Sequence, residues 1–168
     1  SKTPISEIAE WKKYVADYPR ESYLRRAREL YYASVSFVDY NIGKIIQQLK
    51  DMGEYDNTLI LFTSDHGEML GDHGTFQKML PYDGSVRIPW IMRYPDKIKA
   101  GSNDDRFVDI NDILPTVLDV AGVSYPNPER SPGESIFAED GRKDRTVEYV
   151  EHSHGKLRWI SLITKNYK

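Results

Sequence analysis

The order of hydrophobic and polar positions predicts a long helix that leads into a buried strand. Within residues 21–52, apolar side chains recur at spacings of three and four, the period of an amphipathic helix. Gly53 ends this pattern, and a turn at Asp56-Asn57 separates it from an apolar run at residues 59–62. A short apolar run bounded by turn residues is typical of a buried strand. The segment therefore predicts an αβ unit of a layered α/β fold.

Four further segments complete the predicted order of elements. Residues 86–91 predict a short strand, and the chain then predicts a helix that Asn111 or Asp112 caps and Gly122 ends. Residues 146–168 alternate between apolar and polar positions, which predicts an antiparallel hairpin that turns at His154-Gly155. An apolar stripe in residues 1–19 predicts one more short helix at the start of the chain.

The strand predicted at residues 59–62 is followed by polar side chains that could bind a ligand. Asp65 and His66 follow it and place an oxygen donor beside an imidazole nitrogen, two common types of metal ligand. In open α/β sheets, ligands bind at the carboxyl ends of the strands. Lys78, further along the loop, adds a positive charge suited to an anion. By residue type alone, the Asp-His pair also fits an ordinary turn, so both interpretations stay open.

Composition excludes several classes of function. The net charge of −3 gives no electrostatic reason to expect a nucleic-acid partner. No apolar run approaches the roughly 20 residues of a membrane helix, so we expect no membrane segment. The 168 residues include no cysteine, which excludes disulfides and a thiolate nucleophile within this sequence.

The string TSDHGEMLGDHG, at residues 63–74, resembles the second metal-binding motif of the type I sulfatases in the alkaline phosphatase superfamily. The resemblance begins near residue 32 and implies an alkaline phosphatase-like α/β sandwich, with helices packed on a mainly parallel sheet. It makes residues 1–123 the latter part of the catalytic domain and residues 124–145 a linker. Residues 146–168 then begin a small C-terminal β subdomain with the antiparallel hairpin.

The resemblance also implies a role for each candidate site residue. Asp65 and His66 would bind a divalent metal, expected to be calcium, although imidazole also suits manganese or zinc. Lys78 matches the family lysine that binds the sulfate and the leaving oxygen. His73 is the candidate general acid or substrate contact, and its alternative is a loop residue that packs on a tyrosine or phenylalanine ring.

The nucleophile of the family is missing from this sequence. Sulfatases use a formylglycine made from Cys or Ser in a Cys/Ser-x-Pro-x-Arg motif near the amino end. The string SYPNP at residues 124–128 imitates the start of this motif but lacks the arginine. The early Asp-Asp metal ligands of the family are absent as well. We therefore expect an incomplete catalytic unit, inactive alone, whose formylglycine and N-terminal part of the domain lie upstream.

The resemblance implies that the substrate is a sulfated small molecule or carbohydrate. A periplasmic or secreted location agrees with the resemblance, but the sequence itself assigns no compartment. Two other functions remain open at this point. The first is hydrolysis of phosphonate or phosphate monoesters, because related hydrolases share the Asp-His pair. The second is a noncatalytic α/β module that binds a partner or an anion.

Overall fold

The computed structural model describes residues 21–125, 130–138, 145–154 and 157–167. The helix predicted at residues 1–19 lies outside this part of the chain. The chain forms two compact units: the first comprises Ser1–Tyr55 and His66–Arg87, and the second comprises Asp56–Asp65 and Ile88–Lys168.

A single long helix, α1 (Glu21–Asp51), dominates the first unit and confirms the helical periodicity of the sequence. Glu21 in its first turn and Lys50 in its last turn both complement the helix dipole. None of its side chains is buried in the described structure, although Tyr32 and Phe37 are large and apolar. Among the helices in the described ranges, none combines the length and apolarity that crossing a bilayer requires.

The small core of the first unit is formed by residues of the loop at 66–87, which includes the short helix α2 (Asp83–Val86). Met69 and Leu80 are each only 1% exposed. The loop is tied to α1, because Arg28 Nε donates a hydrogen bond to the carbonyl of Leu70 at 2.8 Å. The first half of α1 therefore supports the loop that carries most candidate site residues.

In the second unit, the predicted strand after the long helix is confirmed as β1 (Ile60–Thr63), but none of its residues is buried in the described structure and Phe62 is 39% exposed, so the prediction of a buried strand is wrong. β1 pairs antiparallel with β2 (Trp90–Arg93), with Thr63 opposite Trp90. The strand predicted at residues 86–91 begins later than expected. Val86, the first residue of the predicted strand, is instead the last residue of α2. Pro89 has no N–H to donate to a neighbouring strand.

The next helix of the second unit, α3 (Ile113–Val120), confirms the helix predicted between Asn111 or Asp112 and Gly122, with Asp112 at the N-cap position. It is preceded by a 3₁₀ turn at Ile110–Asp112, whose N-terminus is stabilised by a capping box. In this box, the Asp109 carboxylate accepts the N–H of Asn111 at 2.7 Å, and Asp112 accepts the N–H of Asp109 at 2.9 Å.

The predicted C-terminal hairpin is confirmed as β3 (Glu148–His154) and β4 (Leu157–Ile163), which pair antiparallel. The predicted turn includes Gly155, which lies outside the described residues. Both strand pairs in the described ranges are antiparallel. Helices and strands occur together as the α/β prediction requires, and no parallel pair is found among the described residues.

Candidate functional site

Asp65 follows the end of β1 by two residues and belongs to the second unit. Its side chain is exposed, and its Oδ1 lies 3.4 Å from the hydroxyl of Ser64. A solvent-accessible carboxylate at this position has the chemistry of a ligand for a hard divalent cation.

His66 begins the loop of the first unit, and its ring is held in one tautomer. The Nδ1 atom lies 2.8 Å from the carbonyl oxygen of Gly67. Because a carbonyl only accepts hydrogen bonds, Nδ1 carries a proton, and in the neutral ring the lone pair is then on Nε2. Histidine ligands of metals commonly show this arrangement, with the second ring nitrogen donating to a carbonyl. The state of His66 therefore suits metal binding through Nε2.

The backbone after His66 approaches a neighbouring segment so closely that only glycine fits. A Cβ atom at Gly67 would lie 2.1 Å from the carbonyl oxygen of Gly84. The N–H of Gly67 also donates to the carbonyl of Ser85 at 2.7 Å. This contact fixes the start of the loop and with it the backbone of His66.

The donor set fits part of a divalent metal site. An aspartate oxygen and an imidazole nitrogen suit calcium, manganese or zinc to different degrees. Among the residues that the structure describes, no three His, Asp or Glu side chains gather into a group that could hold an ion. Asp65 and His66 would therefore supply two ligands, and further ligands have to come from elsewhere.

His73 lies on the exposed 3₁₀ turn Asp72–Gly74 and stacks on Tyr82. The ring centroids are 3.8 Å apart and the planes differ by 12°. The backbone of His73 has φ 53°, in the left-handed region that residues with a Cβ seldom adopt. The stacking fixes the plane of an exposed imidazole, which is compatible with the packing role and with proton transfer at its edge.

Lys78 lies in the same loop as His66 and His73, and its side chain is exposed. Its carbonyl accepts a hydrogen bond from Ser85 Oγ at 2.7 Å. The first unit thus carries three of the four candidate residues, and Asp65 adjoins them through the peptide bond to His66. Their assignment to metal binding and catalysis stays a prediction.

A buried ionic cluster in the second unit was not found from the sequence. The guanidinium of Arg145 donates to Asp112 at 2.8 Å, to Glu148 at 2.7 Å and to Asp109 at 3.1 Å. Asp112 is fully buried, and the side chain of Arg145 is only 18% exposed. The two aspartates lie 36 and 33 positions before Arg145, and no motif connects the two segments, so no sequence signal indicated the cluster.

The cluster shifts the pKa values of two members upward for different reasons. Burial would lower the pKa of Arg145, but hydrogen bonds and charges of Glu148 and Asp112 outweigh it and raise the pKa. Burial raises the pKa of Glu148, and the charge of Asp109 adds to this, against the opposing effect of Arg145. Glu148 and Asp112 together raise the pKa of Arg145, whereas Glu148 has only the one cation to oppose the effect of burial.

A model of the sulfatase family matches residues 4–123. An arylsulfatase of Clostridium perfringens is 36% identical over 149 residues, which are 86% of this chain and 31% of that enzyme. The chain therefore spans about a third of the length of this relative.

Two solved structures resemble the chain. One is a protein in complex with its substrate D-glucosamine-2-N,6-O-disulfate, with 32% identity and a TM-score of 0.74. It covers 95% of this chain, which spans 34% of that protein. The other is the phosphonate monoester hydrolase of Agrobacterium radiobacter, with 36% identity, a TM-score of 0.64, and coverage of 74% of this chain and 25% of the hydrolase.

These findings confirm the alkaline phosphatase-like α/β class that the sequence predicted. They also agree with the prediction that the sequence is part of a larger catalytic unit, because each relative is about three times as long or longer. The chain belongs to the sulfatase family.

Proposed function

We propose that a polypeptide of family length containing this chain hydrolyses sulfate esters, and that this chain supplies its Asp65–His66 metal ligands and its Lys78 anion contact. The family match over residues 4–123, which includes all three residues, carries this proposal. The tautomer of His66 supports it further, since Nε2 has the lone pair that a metal requires.

A divalent metal bound at Asp65 and His66 supplies positive charge that activates the nucleophile and offsets negative charge on the sulfate oxygens. We propose calcium, with manganese and zinc as alternatives because His66 contributes nitrogen rather than oxygen. The formylglycine and the remaining metal ligands would come from the part of the domain upstream of this chain.

The residues of this chain then have distinct tasks. The exposed ammonium of Lys78 binds the sulfate and stabilises charge that develops on the leaving oxygen. The imidazole of His73, whose plane is held by Tyr82, donates a proton to the leaving group or contacts the substrate.

A sulfated carbohydrate is the substrate class we propose. The support is the solved relative in complex with D-glucosamine-2-N,6-O-disulfate, which matches 95% of this chain. The domain boundaries that we propose are residues 1–123 for the catalytic part, 124–145 for a linker and 146–168 for the C-terminal β subdomain. The end of the family match at residue 123 supports the first of these boundaries.

Hydrolysis of phosphonate monoesters is the second candidate. The similarity to the phosphonate monoester hydrolase, at 36% identity, supports this alternative. A third possibility, a noncatalytic binding module, predicts no turnover of either ester class.

The test uses the family-length polypeptide, stripped of metal and supplied in turn with calcium, manganese or zinc. Turnover is measured on glucosamine 6-sulfate, 4-nitrophenyl sulfate and 4-nitrophenyl phenylphosphonate. We expect metal-dependent turnover of a sulfate ester, which Asp65→Ala and His66→Ala abolish together with metal binding. Asp96→Ala, at an exposed loop position, is the control and leaves both unchanged.

Preference for the phosphonate would favour the second candidate. Metal binding and turnover that stay unchanged in Asp65→Ala and His66→Ala would contradict the site and favour the binding module. We also expect the 168-residue chain alone to hydrolyse no aryl sulfate.

A further inference from the structure

The backbone around Lys78 is fixed by hydrogen bonds on both sides of its Cα atom. On the N-terminal side, the carbonyl of Gln77 accepts the N–H of Met69 at 2.9 Å. On the C-terminal side, the carbonyl of Lys78 accepts the hydroxyl of Ser85 at 2.7 Å. These carbonyls belong to the two peptide groups that flank the Cα, so the direction of the Cα–Cβ bond of Lys78 is fixed.

Glu68 holds the residue that precedes Lys78. Its Oε1 atom accepts the N–H of Gln77, and the N–H of Leu70 lies 3.4 Å from the same oxygen. Gln77 has φ 70°, which is unfavourable for a residue with a Cβ. Such a conformation persists only where the surroundings over-determine it, and a carboxylate acceptor is a strong constraint.

The groups that fix Lys78 are anchored in the core of the first unit. Ser85 is 3% exposed and Met69 is 1% exposed, whereas the side chain of Lys78 is exposed. The structure therefore combines a buried, hydrogen-bonded frame with a flexible cation at its surface. A fixed Cα–Cβ direction reduces the volume that the ammonium samples.

We propose that Glu68 and Ser85 are positioning residues for Lys78, which hold its backbone so that the ammonium meets a sulfate oxygen. The inference rests on the proposed function of Lys78 as the anion contact. Its physical basis is preorganisation: a charge already held in place stabilises a developing oxyanion without the cost of reorganising. Loss of either side chain should let the ammonium of Lys78 sample a larger volume, while its charge stays unchanged.

A different explanation of Glu68 is direct metal binding, because it lies two residues after His66 in the sequence. Glu68→Gln separates the two roles. Its amide oxygen reaches as far as the carboxylate and accepts the same N–H, so a positioning role survives the change. A metal ligand would lose its charge and bind the metal more weakly.

The experiment compares Glu68→Ala, Glu68→Gln and Ser85→Ala in the family-length polypeptide. The controls are Glu29→Ala, which removes exposed ion pairs on α1, and Ser34→Ala, which removes an exposed hydroxyl-to-carbonyl bond within α1. One readout is kcat/KM on 4-nitrophenyl sulfate and phenyl sulfate. The other is the NMR response of ¹³C-methylated Lys78 to inorganic sulfate, which needs no turnover.

We expect Glu68→Ala to lower kcat/KM by about 100-fold, the scale of a misplaced catalytic contact. Ser85→Ala should lower it by about tenfold, as the loss of one hydrogen bond to a rigid frame implies. Both losses should be larger on phenyl sulfate, whose leaving oxygen depends more on Lys78, and both variants should weaken the sulfate response. Glu68→Gln should retain most of both signals.

Two results would overturn the positioning role while the proposed function stands. One is an active wild type in which Glu68→Ala and Ser85→Ala behave like their controls. The other is a Glu68→Gln variant as damaged as Glu68→Ala. A wild type with neither turnover of any ester nor a sulfate response at Lys78 would overturn the proposed function and this inference together.

Discussion

The guanidinium of Arg145 lies 2.8 Å from the carboxylate of Asp112, and no part of Asp112 is exposed to solvent. This pair joins the segment just before β3 to the turn that starts α3. The N–H of Glu134 also donates to Asp112, at 2.9 Å, so a third segment depends on the same carboxylate. The cluster therefore holds three segments of the second unit together, so removing one of its members should destabilise the fold.

Arg145→Met should destabilise the protein strongly. The substitution keeps an apolar stem but leaves a fully buried carboxylate without its cation. Breaking a buried pair in this way typically costs about 3–5 kcal/mol. Urea unfolding measures the change, and Arg158→Met, at an exposed position of β4, is the matched control. A loss equal to that of the control would contradict the structural role of the cluster.

The stability of the second unit should depend on pH through Glu148. Its pKa is raised above the usual 4.5, chiefly by burial, so the folded state binds this proton more tightly than the unfolded state does. The stability that this group contributes is present below the unfolded pKa and is lost as the pH rises through the folded pKa. Glu148→Gln removes this titration.

The stability of Glu148→Gln relative to wild type should therefore increase as the pH rises from about 4 to 7, because only the wild type loses the contribution of this group over that range. Chemical unfolding at several pH values in this range measures the difference. A difference that is constant with pH, or of the opposite slope, would show that the pKa of Glu148 is not raised.

Gly67 should be intolerant of a side chain, unlike Gly43. A Cβ at Gly67 meets the backbone oxygen of Gly84 at 2.1 Å, so Gly67→Ala should cost about 1–3 kcal/mol through backbone displacement. Gly43 lies within α1, and apart from the helix backbone no atom of the described residues lies within 4 Å of the position that a Cβ would take, so Gly43→Ala should stabilise the helix by about 1 kcal/mol. Thermal unfolding of both variants tests the contrast.

The two interpretations of His73 differ in what a phenylalanine at this position preserves. His73→Phe keeps an aromatic ring to stack on Tyr82 but cannot transfer a proton. If His73 is the general acid of the family-length enzyme, kcat should fall by about 10²–10⁴-fold while thermal stability stays near that of wild type. The comparison uses a sulfate ester with a poor leaving group, where protonation matters most. Unchanged turnover would assign His73 to packing alone.

Local patterns in the sequence were sufficient to predict α1, β1 and the C-terminal hairpin. Each of these elements has a hydrophobic period or an apolar run bounded by turn residues, and both are properties of neighbouring positions. The string at residues 63–74 was sufficient to indicate the family, because a resemblance carried by a contiguous string can be recognised without knowledge of the fold. The capping box of the 3₁₀ turn before α3, with Asp109 at its N-cap, and the late start of β2 depend on individual hydrogen bonds and were not predicted.

The sequence by itself determined most of the helical and extended segments, and it named the side chains that we propose as ligands of a metal and an anion. Tertiary structure decided that β1 pairs with β2 in antiparallel orientation, that Arg145 reaches Asp112 across 33 positions, and that Ser85 holds the carbonyl of Lys78. The reason is physical. Periodicity shows only which face of an element is apolar. A hydrogen bond or ion pair between distant segments depends on which of them pack together, and no local pattern encodes that pairing.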